Sequence, residues 1–436
     1  MVITGMDVLC CHITIGDADA DNPMKINNGV EITEATEIEI TESYKKLIGT
    51  AKLKFPKGTV CRSTIIGNGT PEGKDASRVT TEIMQDGVII EKRSTQNILD
   101  ATTFKVGQRI SIKLGYNGVL KSMFDGYITG YNSDSILELE CENMAYKLKL
   151  KQASKFETPN TGTTVNEVLE GKYNILKDTG FKIHSETKKF DIHIGKIKVT
   201  DNFTVADILS EWSKYKVYCF LKYDTDSGDQ MPAIAVGRPY SSSKAQPVFP
   251  KDEGTGPYPI RFDYHVAQND LKVLKTDPKF LAVTGKDEKF FAVTIRMNPE
   301  YDAKTEGSKE FQVVNATQIS KKTHKLTGNV TASGAETKTK VDLSTYTVVP
   351  YMSPHIGITS DQLVEETTEY FRNYHLNGIL GSVTIFGDYG LYPAVQVELI
   401  DCRNPSKNGI YLVEEVTTTF GTNGYRQKVS IPYRIR

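Results

Sequence analysis

The sequence predicts a mainly β protein with a small α/β insert, in which two similar antiparallel β-barrels flank the insert. Three observations predict this fold. Apolar and polar residues alternate with a period of two in many short segments before residue 152 and after residue 261, which is typical of strands buried on one face. In the segment between them the period changes to 3.6, which indicates helices. A layout of three strands with an Asn-Gly turn occurs near each end of the chain.

The C-terminal copy of this layout has three predicted strands and two turns. Its first strand alternates strictly, with Val395, Val397 and Leu399 on one face. An Asn408-Gly409 turn is predicted next, because this dipeptide readily adopts positive φ angles. The strands cover residues 394–400, 410–416 and 427–433, and the second turn covers 421–424. A meander of this kind leaves two edges and one apolar face open, so it must belong to a barrel or a sandwich.

The N-terminal copy follows the same plan. Residues 107–114 alternate, Asn117-Gly118 makes the turn, and residues 124–131 and 136–141 form the next two strands. Two unrelated β-meanders with Asn-Gly turns would also look alike, so a coincidence of pattern stays open beside a duplicated barrel. We predict the duplicated barrel.

The rest of the chain divides around these two copies. We predict a first tube-like barrel over residues 1–152, fed by strands at 8–15, 31–40 and 51–57 and interrupted by an inserted loop over 61–101 with a short hairpin at 88–90. An α/β insert covers 153–230, and a linker rich in Pro, Gly and Ser covers 231–260. The second barrel covers 261–436. It contains a polar insertion over 301–340, expected to form exposed hairpins or a mobile loop, and a helix over 360–374 capped by Thr359.

The insert contains one six-residue pattern twice, beginning at Thr164 and at Thr204. In each copy the threonine can cap a helix, and the acidic residue three positions later can bond back to the cap. A strand is predicted after each helix, at 181–183 and 217–223. Trp212 lies in the apolar stripe of the second helix, which favours a core position over a platform for sugar stacking.

Two sets of segments resemble the baseplate hub family of contractile phage tails, the late-control protein D family. The relatives of this family include the hub part of the type VI secretion spike protein. The similar segments are residues 104–118, 124–128 and 139–143 in the first half and residues 381–387, 391–393, 409–413 and 424–425 in the second half.

The resemblance implies a structural role. Three copies would associate as a homotrimer, and two similar barrels in each copy would give a ring with near-sixfold symmetry. Such a ring would join a hexameric tail tube protein to a separate trimeric spike protein, beside other baseplate proteins. The chain would be assembled in the bacterial cytoplasm and lie in the baseplate of a virion or injection particle.

Composition limits the other classes of function. The 436 residues contain 53 Lys and Arg against 54 Asp and Glu, so no overall charge attracts nucleic acid, and we predict no specific nucleic acid partner. Six cysteines are scattered without the spacing of a disulfide framework, which fits a reducing compartment. The N-terminus lacks the pattern of a signal peptide, and no apolar stretch approaches the ~20 residues that span a bilayer, so we predict no membrane insertion by the chain itself.

A search for chemical sites predicts none: no catalytic, cofactor-binding or metal-binding residue is assigned, and the protein is predicted not to be an enzyme. Cys10, Cys11 and His12 alternate between faces of a strand and do not converge. His184 and His193 flank a lysine-rich turn without further ligands. Residues 67–74 depart from the phosphate-binding loop pattern. A pair of glycosidase carboxylates stays open, since the many acidic residues do not single one out.

Two alternatives remain beside the baseplate hub. One is the hub of a type VI-like secretion spike. The other is a tail-associated peptidoglycan-binding or lytic protein, because the α/β insert resembles the peptidoglycan-binding-like insert of hub proteins.

Overall fold

The structure of the protein is a computed structural model. It describes residues 8–19, 22–56, 58–63, 79–85, 88–98, 104–132, 136–159, 163–189, 197–200, 202–215, 217–222, 231–237, 258–262, 265–273, 280–286, 289–297, 311–316, 330–332, 350–352, 379–387 and 390–434. Within these ranges there are 29 strands and four short α-helices, so the prediction of a mainly β protein is confirmed.

The first ten strands lie between residues 9 and 143. They are β1 (Leu9–Ala18), β2 (Ile26–Ile32), β3 (Glu37–Ser43), β4 (Lys46–Phe55), β5 (Val60–Ser63), β6 (Val79–Gln85), β7 (Val88–Ile98), β8 (Arg109–Tyr116), β9 (Val119–Asn132) and β10 (Leu137–Asn143). The hairpin expected at 88–90 is longer than predicted, because β7 pairs with the whole of β6. Asn117 and Gly118 both have positive φ, so the turn predicted between β8 and β9 is confirmed.

One apolar core lies inside this first β region. The strands run in the order β3-β4-β10-β9-β8-β1-β2-β5, each hydrogen-bonded to the next. A single cluster of buried side chains includes Ile13, Ile38, Leu53, Ile112 and Leu139, which come from β1, β3, β4, β8 and β10. Five strands of this sheet therefore bury their inward side chains in one shared core.

The insert has its own core and small elements. Its helices are α1 (Tyr146–Leu150), α2 (Val165–Leu169), α3 (Ser185–Lys188) and α4 (Val205–Glu211), and its strands are β11 (Phe156–Glu157), β12 (Lys198–Val199), β13 (Tyr218–Lys222) and β14 (Ala233–Gly237). Thr164 and Thr204 both form the predicted capping boxes. Trp212 is only 1% exposed and belongs to the insert core, as expected.

Two expectations for this region need correction. The linker predicted over 231–260 begins later, because the wholly buried β14 pairs antiparallel with β13 and belongs to the insert core. Residues 181–183 do not form a strand: Ile183 makes only an isolated bridge to Ile234. Buried apolar residues in a Gly- and Pro-rich segment are difficult to distinguish from a linker by composition.

The remaining strands lie between residues 258 and 434. They are β15 (Tyr258–Arg261), β16 (Val266–Asn269), β17 (Lys272–Val273), β18 (Phe280–Lys286), β19 (Lys289–Met297), β20 (Phe311–Ala316), β21 (Val330–Ala332), β22 (Pro350–Met352), β23 (Ile379–Leu380), β24 (Ser382–Phe386), β25 (Gln396–Ile400), β26 (Gly409–Leu412), β27 (Glu415–Gly421), β28 (Arg426–Ser430) and β29 (Tyr433–Arg434). Strands β18 to β22 form a separate five-stranded sheet, so the polar insertion at 301–340 contributes β20 and β21 to regular pairing. The helix predicted at 360–374 lies outside the described residues.

The predicted C-terminal meander is present but bends between two sheets. Strands β25, β26 and β29 pair in a four-stranded sheet with β15, whereas β27 and β28 pair in a much larger sheet. The second and third predicted strands are thus each divided, near residues 413–414 and 431–432. A second apolar core fills the space between the two sheets, and it includes Val383, Val397, Tyr411 and Val429.

The turn predicted at Asn408-Gly409 is wrong. Asn408 has a φ of −66°, whereas the two-residue hairpin turn needs positive φ at both positions. The connection is a longer loop that contains a 3₁₀ turn over Pro405–Lys407. Asp401 organises this loop: its Oδ1 accepts a hydrogen bond from the amide of Asn404 (3.0 Å), and its own amide donates to Asn408 Oδ1 (2.7 Å).

The two β regions are joined through strand pairing. Strand β27 pairs antiparallel with β3 over seven residue pairs, from Glu415–Ser43 to Gly421–Glu37. This pairing produces one 14-stranded sheet that runs from β16 to β6 through both regions. Phe420 and Tyr425 from the C-terminal region also pack in the first core.

The two copies of the meander share their order of antiparallel strands but differ at one neighbour. In the first copy β8 pairs antiparallel with β1, whereas in the second copy β25 pairs parallel with β15. The copies also differ in their first turn, which is tight at Asn117-Gly118 and a longer loop before Gly409. In the second copy the strands divide between two sheets, whereas β8, β9 and β10 lie in one.

Candidate assembly surface

A charged and polar face crosses the junction between the two β regions. On β3, β4 and β10 the inward residues are buried, and the outward residues are charged. Because directly paired residues of neighbouring strands lie on the same face, the register defines rows across the sheet. One row crosses five strands and consists of Arg426, Thr419, Glu39, Lys52 and Glu140.

A second row lies beside the first and has fewer charges. It consists of Lys428, Thr417, Thr41, Thr50 and Glu142. A third row contains Glu37, Lys54 and Glu138. We call these three rows the junction face. Among their side chains there is no large apolar one.

Ion pairs connect the strands of the junction face. Lys54 Nζ lies 2.8 Å from Glu37 Oε2, and Lys52 Nζ lies 3.4 Å from Glu140 Oε1. The hydrogen bond to Glu37 and the nearby carboxylates raise the pKa of Lys54. The four side chains are 39–58% exposed, and ion pairs that are this exposed contribute little to stability. The charges are therefore available for contacts outside the chain rather than needed for folding.

Exposed apolar side chains lie at the ends of the β8–β9–β10 hairpins. Val119 is 72% exposed in the β8–β9 turn, and Val8 beside it is 58% exposed. The Val8 amide donates to Asn117 Oδ1 (2.8 Å), which attaches the start of β1 to the β8–β9 turn. Tyr131 and Ile136, near the end of β9 and just before β10, are 45% and 46% exposed. Apolar side chains held at rigid turns are suited to contacts with another protein.

Two sheets end in edge strands within the described part of the chain. Strands β16 and β6 lie at the edges of the large sheet, and β15 and β29 at the edges of the four-stranded sheet. The backbone of an edge strand can pair with a strand of another chain. These edges add a second route for assembly beside the hairpin ends.

The residues considered for chemistry do not converge. On β1, Cys11 is buried and points away from Cys10 and His12, as the alternation predicted. His184 is buried, and its Nδ1 accepts a hydrogen bond from the Glu186 amide at the start of α3. His193 and the segment 67–74 lie outside the described residues. Within those residues, no group of three His, Cys, Asp or Glu side chains is placed to hold a metal ion, and no helix is long and apolar enough to cross a membrane.

The buried thiols are also unsuited to reaction. Burial, with smaller contributions from the charges of Cys10 and Glu34, raises the pKa of Cys11 to about 11. Burial also raises the pKa values of Cys141 and Cys219. A raised thiol pKa lowers the fraction of reactive thiolate at neutral pH. These cysteines therefore act as small apolar core residues.

Solved structures with a similar fold are phage tail proteins. A tail protein from Neisseria meningitidis MC58 has a TM-score of 0.50 and 9% identity, covering 98% of this chain and 96% of that chain. The 43 kDa tail protein of prophage MuSo2 from Shewanella oneidensis has a TM-score of 0.50 and 11% identity, covering 98% of each chain. No family model and no curated protein matches this chain. At this low identity the likeness concerns the fold alone: over nearly its whole length, the chain has a fold similar to that of these two tail proteins.

Proposed function

We propose that the chain is the structural baseplate hub of a contractile phage tail or a related injection system. Three copies form a homotrimer, and each copy contributes two similar β-barrel units to a ring. One side of the ring binds a hexameric tail tube protein, and the other side binds a separate trimeric spike protein. Other baseplate proteins surround the ring. The protein is not an enzyme, and it is assembled in the bacterial cytoplasm into the baseplate of a virion or injection particle.

The observation that carries this proposal is the fold likeness to two phage tail proteins over 98% of the chain. The strand pairing supports it further. Two β regions, each with its own core, are held in a fixed relation by the β27–β3 ladder and by Phe420 and Tyr425. A rigid pair of units is what a ring needs, because a closed ring requires each interface to repeat with a fixed geometry.

The symmetry argument follows from this pairing. Three chains with two units each place six units around an axis, so the ring can match a sixfold tube by its units and a threefold spike by its chains. A chain with one unit could not match both partners at once. The two copies differ in the strands that flank them, because β1 is antiparallel to β8 and β15 is parallel to β25. The six units are therefore not identical, and the exact symmetry of the ring is threefold.

The surfaces fit different parts of such a ring. The junction face is hydrophilic and crosses both units, which suits a water-filled channel. The valines at the β8–β9 turn and the edge strands suit contacts between protomers or with partners. Apolar burial at these contacts would contribute about 25 cal/mol per Å², less the cost of association.

Native mass spectrometry of the purified chain, with negative-stain electron microscopy, tests the proposal. We expect a trimer and a ring with a central hole. Replacing Val119 by Asp should weaken the trimer. The matched control is Leu150→Asp in the insert, where a side chain of similar exposure (66%) should tolerate the change.

The possible results distinguish an error in the proposed protomer interface from an error in the proposed function. If the Val119→Asp variant remains trimeric, the protomers do not contact each other through the β8–β9 turn. A wild-type chain that is monomeric both at high concentration and in assembled particles would refute the hub. Clearing of peptidoglycan by the purified chain would instead favour the tail-associated lytic alternative, and a continuous spike on the same polypeptide would favour the type VI-like hub.

A further inference from the structure

A cavity lies where the first β region, the insert and the C-terminal region meet. Its volume is about 850 Å³, within the range of cavities that bind small molecules. Its walls come from several separate parts of the chain, among them the β3–β4 connection, strands β8 and β9, strand β13 of the insert, and the loop over residues 390–393. Residues 22–25, residues 143–144 and strand β27 also contribute. Close beside it, Tyr44 packs against Tyr218 and Phe220 with Leu412, which fixes the three regions around the cavity.

The charged groups that line the cavity are mostly cationic. Its described lining contains five lysines and two carboxylates. The lysines are Lys25, Lys46, Lys113, Lys121 and Lys222. Lys222 is only 6% exposed, although lysine is rarely buried in proteins. The other four lysines are exposed to solvent, and together with Lys222 they give the described lining a cationic character that would attract an anion.

The described lining contains fewer carboxylates than lysines, and Lys25 Nζ also lies 3.9 Å from Oδ2 of Asp19 outside the lining. Asp125 Oδ1 lies 3.2 Å from Nη2 of the buried Arg109, so its charge is compensated outside the cavity lining. Glu42 continues the inward face of β3 beyond Ile38 and Ile40, at the mouth of the first core. Burial, with a smaller contribution from the charge of Asp125, raises the pKa of Glu42 to about 7. At neutral pH the Glu42 carboxyl group therefore carries less negative charge than an ordinary glutamate.

One wall of the cavity packs closely against Lys121. Gly390 has a positive φ of 59°, and a Cβ atom there would lie 3.1 Å from the Cδ atom of Lys121. The loop over 390–393 therefore lies directly against the lysine stem. Apolar wall residues, including Phe124, Met144 and Phe220, surround the polar groups. The lining therefore combines apolar side chains with charged and polar ones, as ligand sites commonly do.

We propose that this cavity binds a small polyanion, a molecule with two or more phosphate or carboxylate groups. The lysines provide the attraction, and the apolar wall lowers the dielectric constant around them. A bound polyanion would contact the first β region, the insert and the C-terminal region together, and would stabilise their arrangement. This site is independent of the hub proposal, because it needs neither a trimer nor a tube.

Isothermal titration calorimetry at low salt, with tripolyphosphate and with citrate as probes, tests the site. We expect one site per chain for at least one probe. Replacing Lys113 and Lys121 together by Gln should weaken binding about tenfold or more, since each lost charge at contact distance removes roughly 1 kcal/mol. Both side chains are exposed, so the fold should tolerate the change. The matched control is Lys428→Gln, an exposed lysine outside the cavity lining.

Glu42→Gln supplies an independent readout. Near pH 8 the Glu42 carboxylate opposes an anion, so the glutamine variant should bind the probe more tightly there and equally well near pH 5. Binding of tripolyphosphate alone would assign a phosphate ligand, and binding of citrate alone would assign a carboxylate ligand. The proposal is overturned if neither probe binds to folded protein, or if Lys428→Gln weakens binding as much as the cavity variant does.

Discussion

Replacing Arg109 by Met should destabilise the first β region strongly. The Arg109 side chain is fully buried, and its guanidinium contacts four groups. Nε donates to the Pro23 carbonyl (2.9 Å), and Nη1 donates to the carbonyls of Ile110 (3.1 Å) and Gly126 (2.8 Å). Nη2 donates to Asp125 Oδ1 at 3.2 Å. This one side chain therefore connects β8, β9 and the turn before β2.

The expected magnitude follows from these contacts. Methionine keeps most of the apolar stem but makes none of the hydrogen bonds. Removing one partner of a buried ion pair costs about 3–5 kcal/mol, because the other charge is left uncompensated. The Asp125 side chain is only 10% exposed, so little water can replace the guanidinium. We expect a loss of about 4 kcal/mol in the free energy of unfolding, or roughly a thousandfold in the folding equilibrium.

Urea unfolding followed by circular dichroism measures the loss, and amide hydrogen exchange locates it in β8 and β9. The double variant Arg109→Met with Asp125→Asn should lose less than the sum of the two single variants, by about 1–3 kcal/mol, because no orphaned carboxylate remains. The control is Arg426→Met, since Arg426 lies over the Phe386 ring (4.4 Å) near the surface and should cost under about 1 kcal/mol. An Arg109→Met loss no larger than this control, or strictly additive variants, would refute the reasoning.

Three further predictions concern a cap, a titrating group and a thiol. Thr204→Ala should cost about 1 kcal/mol by urea unfolding, because it removes the hydroxyl that accepts from the Asp207 amide at 3.2 Å, whereas Thr204→Ser should cost much less; an equal loss in both would contradict the capping role. Because the pKa of Glu42 is raised in the folded state, ionisation of its carboxyl group destabilises the fold. This destabilisation is complete above about pH 7, and it disappears as the pH falls towards 4.5, the pKa of Glu42 in the unfolded chain. Glu42→Gln should therefore raise the free energy of unfolding at pH 8 by about 3 kcal/mol at most and leave it unchanged near pH 4.5; unfolding curves that respond equally at both pH values would contradict this. A thiol reagent should label the exposed Cys402 rapidly in native protein and the buried Cys141 only after unfolding, and mass spectrometry of labelled peptides that shows equal rates would contradict the burial.

Local chemistry explains which parts of the fold the sequence predicts. The alternation of β3, β4 and β10, the Asn117-Gly118 turn and the helix starts at Thr164 and Thr204 depend on residues a few positions apart. Such patterns specify one element each, and the structure contains these elements, although the strand predicted over 31–40 is divided between the end of β2 and the start of β3.

Non-local pairing explains what the sequence does not predict. Strand β27 pairs with β3, which lies more than 370 positions earlier in the sequence. The register of that ladder joins the outward residues of the two regions into the junction face. In the sequence, Glu39, Thr419 and Arg426 are ordinary outward residues of three separate strands. Only the strand pairing of the folded chain places them in one row. The cavity is formed in the same way, by several parts of the chain that are distant in sequence.

Side-chain hydrogen bonds explain the wrong turn at Asn408-Gly409. The dipeptide permits a tight hairpin turn, but Asp401 accepts hydrogen bonds from the loop amides and favours a longer connection. Burial alone would raise the pKa of Asp401, and the hydrogen bonds from Asn404 and Arg403 with the charge of Lys407 outweigh this and lower it. A carboxylate held in this way stabilises the loop against the shorter turn.

The most direct test of the central proposal is an electron-microscopic reconstruction of the purified chain bound to its tube protein, without imposed symmetry. Our account predicts three copies whose two β regions alternate around the axis, giving six similar units against the tube. A single copy, or a ring in which the first and second β regions lie at different radii without a sixfold repeat, would contradict it.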